Sequence, residues 1–174
     1  MKYTLQLFKD NNVGYDWNTI YVGRRLRIIS HSVVNEYALE LLEDNEDIDN
    51  AQILELAWTL EEDETDKELK VLISQINDSD LREGSTIWNI EARKWRCCIL
   101  SELLITINDE QALYEEIEKV FSKFNCPSDM YEFFRNISDK HFYSIQKRDN
   151  ILKGMKDIIL QFLEKEKVEL NIGN

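Results

Sequence analysis

Residues 85–107 read STIWNIEARKWRCCILSELLITI, and their apolar side chains occupy more than one face of the helix they predict. Trp88, Ala92, Trp95, Ile99 and Leu103 follow one stripe, while Ile87, Ile90, Cys97, Cys98, Leu100 and Leu104 fill others. A helix that is apolar on several faces needs neighbours on several sides. The stretch therefore predicts a central helix in an all-α fold.

The same stretch poses a chemical question, because Cys97 and Cys98 adjoin Trp95 and lie among Arg93, Lys94 and Arg96. Successive helical residues point about 100° apart, so the two thiols cannot chelate one ion from one face. A disulfide between neighbours would distort the peptide. Zinc asks for four ligands in paired spacings, whereas Cys126, His31 and His141 stand far apart in the chain. Cys98 follows Trp95 by three positions and Cys97 precedes Leu100 by three, so both fall on apolar stripes. Free cysteine packs as a small hydrophobe, and core packing is the reading adopted. Exposure beside the arginines would instead lower a thiol pKa.

Working outward, helical periodicity recurs. Val34, Tyr37, Ala38, Leu41 and Leu42 repeat at i, i+3, i+4, i+7 and i+8, with Ser30 or Ser32 as cap. Leu69, Leu72, Ile73 and Ile76 form a second stripe, and Leu113, Ile117, Val120, Phe121 and Phe124 a third. Met130, Phe133, Phe134 and Ile137 suggest a shorter helix capped by Ser128, and Ile151, Met155, Ile158, Ile159 and Phe162 a long C-terminal one. Asp16 caps "WNTIYVGRR", which gives way at "LRIIS" to a turn, or alternatively to a short strand. "NAQILELAWTL" (50–60) is apolar on more than one face and is likewise expected to be central. Residues 136–148, including His141, form the longest irregular candidate. About eight helices with short connectors make an antiparallel bundle or a short layered array of helix pairs. One helical domain over residues 1–174, or two closely packed halves, is expected.

The composition agrees. One proline and five glycines in 174 residues leave few turn formers for a β-rich chain. A domain of this length buries roughly 70% of its unfolded surface and needs no metal or disulfide to hold a core. The opening "MKYTLQLFKDNNVGYDW" lacks the apolar segment of a secretory signal, and no apolar run approaches the ~20 residues of a membrane span. A cytoplasmic protein without membrane association is expected.

Charge is unevenly placed. Residues 36–80 hold sixteen acids against Lys67 and Lys70, a net of −14, while the rest of the chain is nearly neutral. One reading is that these are solvated turns and helix starts, where Asp and Glu cap backbone donors and keep the protein soluble. The more specific reading is a surface for a basic partner, formed by Glu43, Asp44, Glu46, Asp47, Asp49, Glu61, Glu62, Asp63, Glu64 and Asp66. Such a surface repels nucleic acid and anionic lipid, so direct nucleic-acid binding is not expected despite Arg24, Arg25 and Arg27.

Catalytic signatures are missing from the sequence. Neither acidic run fits a calcium loop, which needs glycine at its sixth position. There is no nucleophile elbow, P-loop or dinucleotide fingerprint, and His141 has no identifiable nucleophile beside it. No catalytic residue, cofactor or metal is assigned. Trp17, Trp58, Trp88 and Trp95 lie in expected helices and read as core, although an exposed one could anchor a partner.

The segments "YDWNTIYVGRRLRIISHSVVNEYALELL", "ILELAWTLEED", "ARKWRCCILSEL" and "EEIEKVFSKFNCPSDMYEFFRNIS" together resemble the bacterial domain-of-unknown-function family 2247. That resemblance implies a compact bacterial helical domain and brings no catalytic residues. In general character the chain is also similar to immunity proteins of bacterial toxin systems, which are small, often acidic and without an active site. The expected function is thus a non-enzymatic interaction protein, in its most concrete form an immunity protein neutralising a basic toxin. The alternatives are a helical enzyme or small-ligand binder, and a scaffold whose acidity serves solubility.

Overall fold

The computed structural model describes residues 3–45, 48–77, 81–143 and 151–171, without the side chains of 142 and 143. Among these residues the fold is all-α. Its helices are α1 (Gln6–Asp10), α2 (Trp17–Arg25), α3 (His31–Asp44), α4 (Ala51–Trp58), α5 (Glu62–Ile76), α6 (Thr86–Thr106), α7 (Glu110–Lys123), α8 (Tyr131–Tyr143) and α9 (Ile151–Glu169). The chain divides into two compact units, Met1–Gln6 with Gly14–Ala92 and Leu7–Val13 with Arg93–Asn174, the boundary falling within α6.

In the first unit α2 begins with a capping box. Asp16 accepts from the backbone N–H groups of Asn18 and Thr19 at 2.9 and 3.0 Å, and the Thr19 hydroxyl accepts from Asp16 N–H at 3.1 Å. Three donors that the helix start would leave unpaired are thereby satisfied. The helix ends in a turn rather than a strand. Ile28 N–H bonds the Gly23 carbonyl at 2.8 Å and Arg27 N–H the Arg24 carbonyl at 2.9 Å, with Arg27 at φ +54°. These two bonds are the Schellman pattern, here with arginine where glycine is usual. Ile28 and Ile29 then turn into the core. Ser30 occupies the cap position of α3 but makes no side-chain cap bond; its hydroxyl meets that of Ser32 at 2.7 Å instead.

Helices α3, α4 and α5 pack against one another, with α2 against α3 and α5. Side-chain bonds fix their directions. Asn35, in the second turn of α3, donates to the carbonyls of Leu56 and Thr59 at the end of α4. Gln75, at the end of α5, donates to Gln52 at the start of α4 at 2.9 Å. Both neighbours of α4 therefore run antiparallel to it.

In the second unit Trp95 to Ser101 are all buried, so the middle of α6 is enclosed on every face as its sequence predicts, while Ile90 and Ile105 nearer its ends are exposed. Phe8 of α1, in a segment where no helix is expected from periodicity, meets Trp95 edge-on at 4.5 Å. Helices α7, α8 and α9 pack mutually. Asn125, at φ +61°, ends α7 with the same Schellman bonds. Asparagine tolerates this left-handed conformation, which is one reason the fold needs so little glycine. Ser128 opens a short 3₁₀ turn, Ser128–Met130, rather than capping α8 directly. His141 lies within α8, not in an irregular segment, and stacks on Tyr114 at 4.3 Å. Past residue 136 the helix is held by Ile137, which is buried, and by that His141–Tyr114 stack, while residues 144–148 of the expected irregular segment lie outside the described residues.

The second expected central helix differs. Ile53, Leu56 and Ala57 give α4 one buried face, while Leu54 and Trp58 point to solvent. Eight residues bounded by Asn50 and Thr59 are two turns, enough to cover neighbours on one side only.

Candidate functional site

Cys97 and Cys98 are buried, and burial raises both thiols from an ordinary 9.0 to about 12. They stay protonated at neutral pH and are poor nucleophiles or ligands. Among the described residues no three His, Cys, Asp or Glu side chains are grouped to hold a metal ion.

The acidic residues occupy two places in the first unit. Glu43 and Asp44 end α3, and Asp49 lies in the connector before α4; all three are exposed. Glu46 and Asp47 lie outside the described residues. Glu61 is the cap position of α5, Glu62, Asp63 and Glu64 form its first turn, and Asp66 follows; these too are exposed. Carboxylates there are favoured by the positive end of the helix dipole. Because α3 and α5 both run antiparallel to α4, the first group lies at the start of α4 and the second at its end. The intervening eight residues span about 12 Å. The structure thus brings Glu61, Glu62, Asp63, Glu64 and Asp66 together and leaves Glu43, Asp44 and Asp49 a helix length away.

The second group meets the basic cluster. Arg24 donates through Nε to Asp66 at 2.6 Å, through Nη2 to its other oxygen at 3.0 Å, and through Nη2 to Glu62. Burial works against the charge of Arg24, but Asp66 and Glu62 outweigh it and raise its pKa. Arg25, Arg27 and Asp63 line the same cleft, about 410 Å³ in volume. Glu61, Asp63 and Glu64 make no ion pair among the described residues, so part of the group remains uncompensated.

Just before these carboxylates the chain exposes apolar side chains. Trp58 is 75% exposed and Leu60 85%, while Leu54, one turn earlier than Trp58 on α4, is 41% exposed. Trp17, Trp88 and Trp95 are buried. Expecting Trp58 in the core missed this, although its place at a helix end between Glu55 and Glu61 was a usable signal.

The second unit holds an ionic cluster that periodicity alone does not reveal. Arg93 donates to both oxygens of Glu166 at 2.9 and 2.8 Å and to Glu169 at 2.5 Å. Arg96 donates to both oxygens of Asp129, one at 3.0 Å, and lies 3.9 Å from Glu166. Glu166 and Arg96 are each 3% exposed. Glu166 raises the pKa of Arg93 by hydrogen bonding, against the effect of burial. The sequence signal is positional, since Glu166 continues the Ile159–Leu163 stripe of α9. Beside the cluster is a cleft of about 300 Å³ with Phe133, Ile158 and Phe162 among its apolar walls and Asn136, Gln161 and Lys165 among its polar ones. Its Arg93, Glu166 and Glu169 are already engaged with one another, which favours a structural role.

No described helix is long and apolar enough to cross a membrane. Comparison with curated proteins and with solved structures yields no significant match. The sequence from residue 5 to residue 167 does match one family, and the chain belongs to it: the bacterial family described as "Uncharacterized protein conserved in bacteria (DUF2247)".

Proposed function

We propose that this chain is a non-enzymatic interaction protein that docks on a basic protein through the acidic start of α5. The observation that carries this reading is the exposure of Glu61, Asp63 and Glu64 without ion-pair partners among the described residues. Carboxylates left in this state raise the rate of encounter with a cationic surface and orient it. The −14 charge of residues 36–80 extends the same field. In its most concrete form the partner is a cationic bacterial toxin, such as a nuclease, whose nucleic-acid-binding surface the protein covers as an immunity protein.

Reversal of Glu61, Asp63 and Glu64 to lysine tests the proposal while sparing the carboxylates that hold Arg24. Partners recovered from the native host at low salt are identified, and their affinities for both chains are measured by calorimetry across a salt series. A basic partner whose affinity falls with salt and with charge reversal is expected. Recovery of no basic partner, or equal affinity for both chains, refutes it.

A small-ligand binder is the second reading, supported by the cleft of about 300 Å³ beside Arg93. A thermal-shift screen of small charged and aromatic compounds, followed by Asn136→Leu and Gln161→Leu, tests that reading separately.

A further inference from the structure

We propose that Leu54, Trp58 and Leu60 form the apolar anchor of the docking surface, and that the occupant is a protein presenting an apolar socket ringed by lysines and arginines. This rests on the reading of the chain as an interaction protein and assigns the residues that supply affinity rather than steering.

Scattered exposed hydrophobics are ordinary on a protein surface. Here three of them fall within seven residues, and two, Trp58 and Leu60, are 75% and 85% exposed. Leu54 and Trp58 are one turn apart and share the outer face of α4. Glu55 and Glu61 through Glu64 adjoin them along the chain and are all exposed. An apolar centre with a charged rim is the usual anatomy of a protein interface, and tryptophan is the residue type most enriched among those that dominate binding energy.

The chain direction at this point is held from inside the unit. Ile53, Leu56 and Ala57 occupy the inner face of α4. The Thr59 hydroxyl donates to the Glu55 carbonyl at 2.7 Å, and the Thr59 carbonyl accepts from Asn35 at 3.0 Å. Trp58 and Leu60 therefore extend from a fixed backbone, and less ordering entropy is lost on binding than from a free loop.

Charge selects the occupant. A second copy seated symmetrically on this face would bring the group Glu55, Glu61, Asp63 and Glu64 against the same group of its partner, and like charges across an interface are repulsive. Nucleic acid and anionic membranes are excluded by the same field. A basic protein surface with an apolar recess satisfies both the anchor and the rim.

The test uses the full chain and two synthetic probes of equal positive charge, an amphipathic helix of leucine and lysine and an oligolysine. Affinities are measured by calorimetry for the parent chain, Trp58→Ala, Leu60→Ala and Glu61→Lys/Asp63→Lys/Glu64→Lys. Far-UV circular dichroism of each variant confirms folding, which substitution at exposed positions leaves intact. The amphipathic helix is expected to bind the parent more tightly than oligolysine does and to shift its tryptophan emission to the blue. Its affinity falls about tenfold or more in Trp58→Ala. Oligolysine binds the parent and Trp58→Ala equally. Equal affinity of the amphipathic helix for the parent, Trp58→Ala and Leu60→Ala overturns the anchor, even if charge reversal weakens both probes and the acidic docking surface stands. Failure of both probes to respond to charge reversal removes the docking surface and the anchor with it.

Discussion

Glu166→Gln should be among the most destabilising single changes in the second unit, because its carboxylate is 3% exposed and holds two guanidinium groups. It accepts two bonds from Arg93 at 2.9 and 2.8 Å and lies 3.9 Å from Arg96. Glutamine keeps the shape and one acceptor, but it turns an amide toward arginine donors and removes the charge. Breaking a buried ion pair on one side costs about 3–5 kcal/mol, because the remaining charge stays buried without compensation. Glu169 and Asp129 still serve the two arginines, and Arg93 is partly exposed, so the lower end applies. The expected loss is about 3 kcal/mol, equivalent to roughly 6–12 °C in Tm for a chain of this size. Urea unfolding followed by far-UV circular dichroism measures it, with a lower midpoint and an unchanged slope. Exposed Glu164→Gln, two residues away, should stay within about 0.5 kcal/mol of the parent. The triple change Arg93→Met/Arg96→Met/Glu166→Leu should recover much of the loss, since it removes the desolvated charges together. A Glu166→Gln chain within about 0.5 kcal/mol of the parent would refute the reasoning.

Other outcomes are specific to particular residues. A thiol reagent should modify exposed Cys126 rapidly and reach Cys97 and Cys98 only on unfolding, a yield of one thiol against three in concentrated guanidinium; three fast thiols would contradict the packing of α6. Burial raises Cys97 and Cys98 from 9.0 to about 12, so the unfolded chain loses these protons first. Stability should therefore fall as pH rises from about 9 toward 12, without a contribution from these thiols below 9. Tyr37, raised by burial to about 12 from 10.0, adds to the same decline, which alkaline titration followed by circular dichroism would record. Arg27→Gly should raise Tm, because glycine relieves the cost of a left-handed residue, about 1 kcal/mol, at φ +54°. An unchanged or lower Tm would show that the arginine side chain contributes more than its backbone costs. Asp16→Ala should cost about 1 kcal/mol by removing the acceptor for Asn18 and Thr19 N–H, and thermal unfolding would show it.

Much of the fold was legible because helical periodicity is a local property. The stripes through Val34 and Tyr37, Leu69 and Leu72, Leu113 and Ile117, and Ile151 and Met155 each require a 3.6-residue repeat, and each occurs in a helix. Asp16 was likewise readable as a cap, since the bonds it accepts lie two and three residues away. Helix α1 escaped because five residues contain too little of a repeat, and the ring that meets its Phe8, Trp95, lies far along the chain.

The candidate site was readable only in composition. Charge reveals that residues 36–80 carry the acidic excess, but the antiparallel course of α3, α4 and α5 separates that excess into two groups, and Arg24 takes Glu62 and Asp66 from one of them. The segments 50–60 and 85–107 have the same local signature, apolar on more than one face, yet α6 is enclosed from Trp95 to Ser101 while α4 leaves Trp58 in solvent. Hydrophobicity states that a side chain favours removal from water; it does not state which neighbour removes it. Chain-local hydrogen bonding and periodicity thus determine the helices, whereas burial, ion pairing and exposure depend on contacts between distant residues, which only the tertiary structure decides.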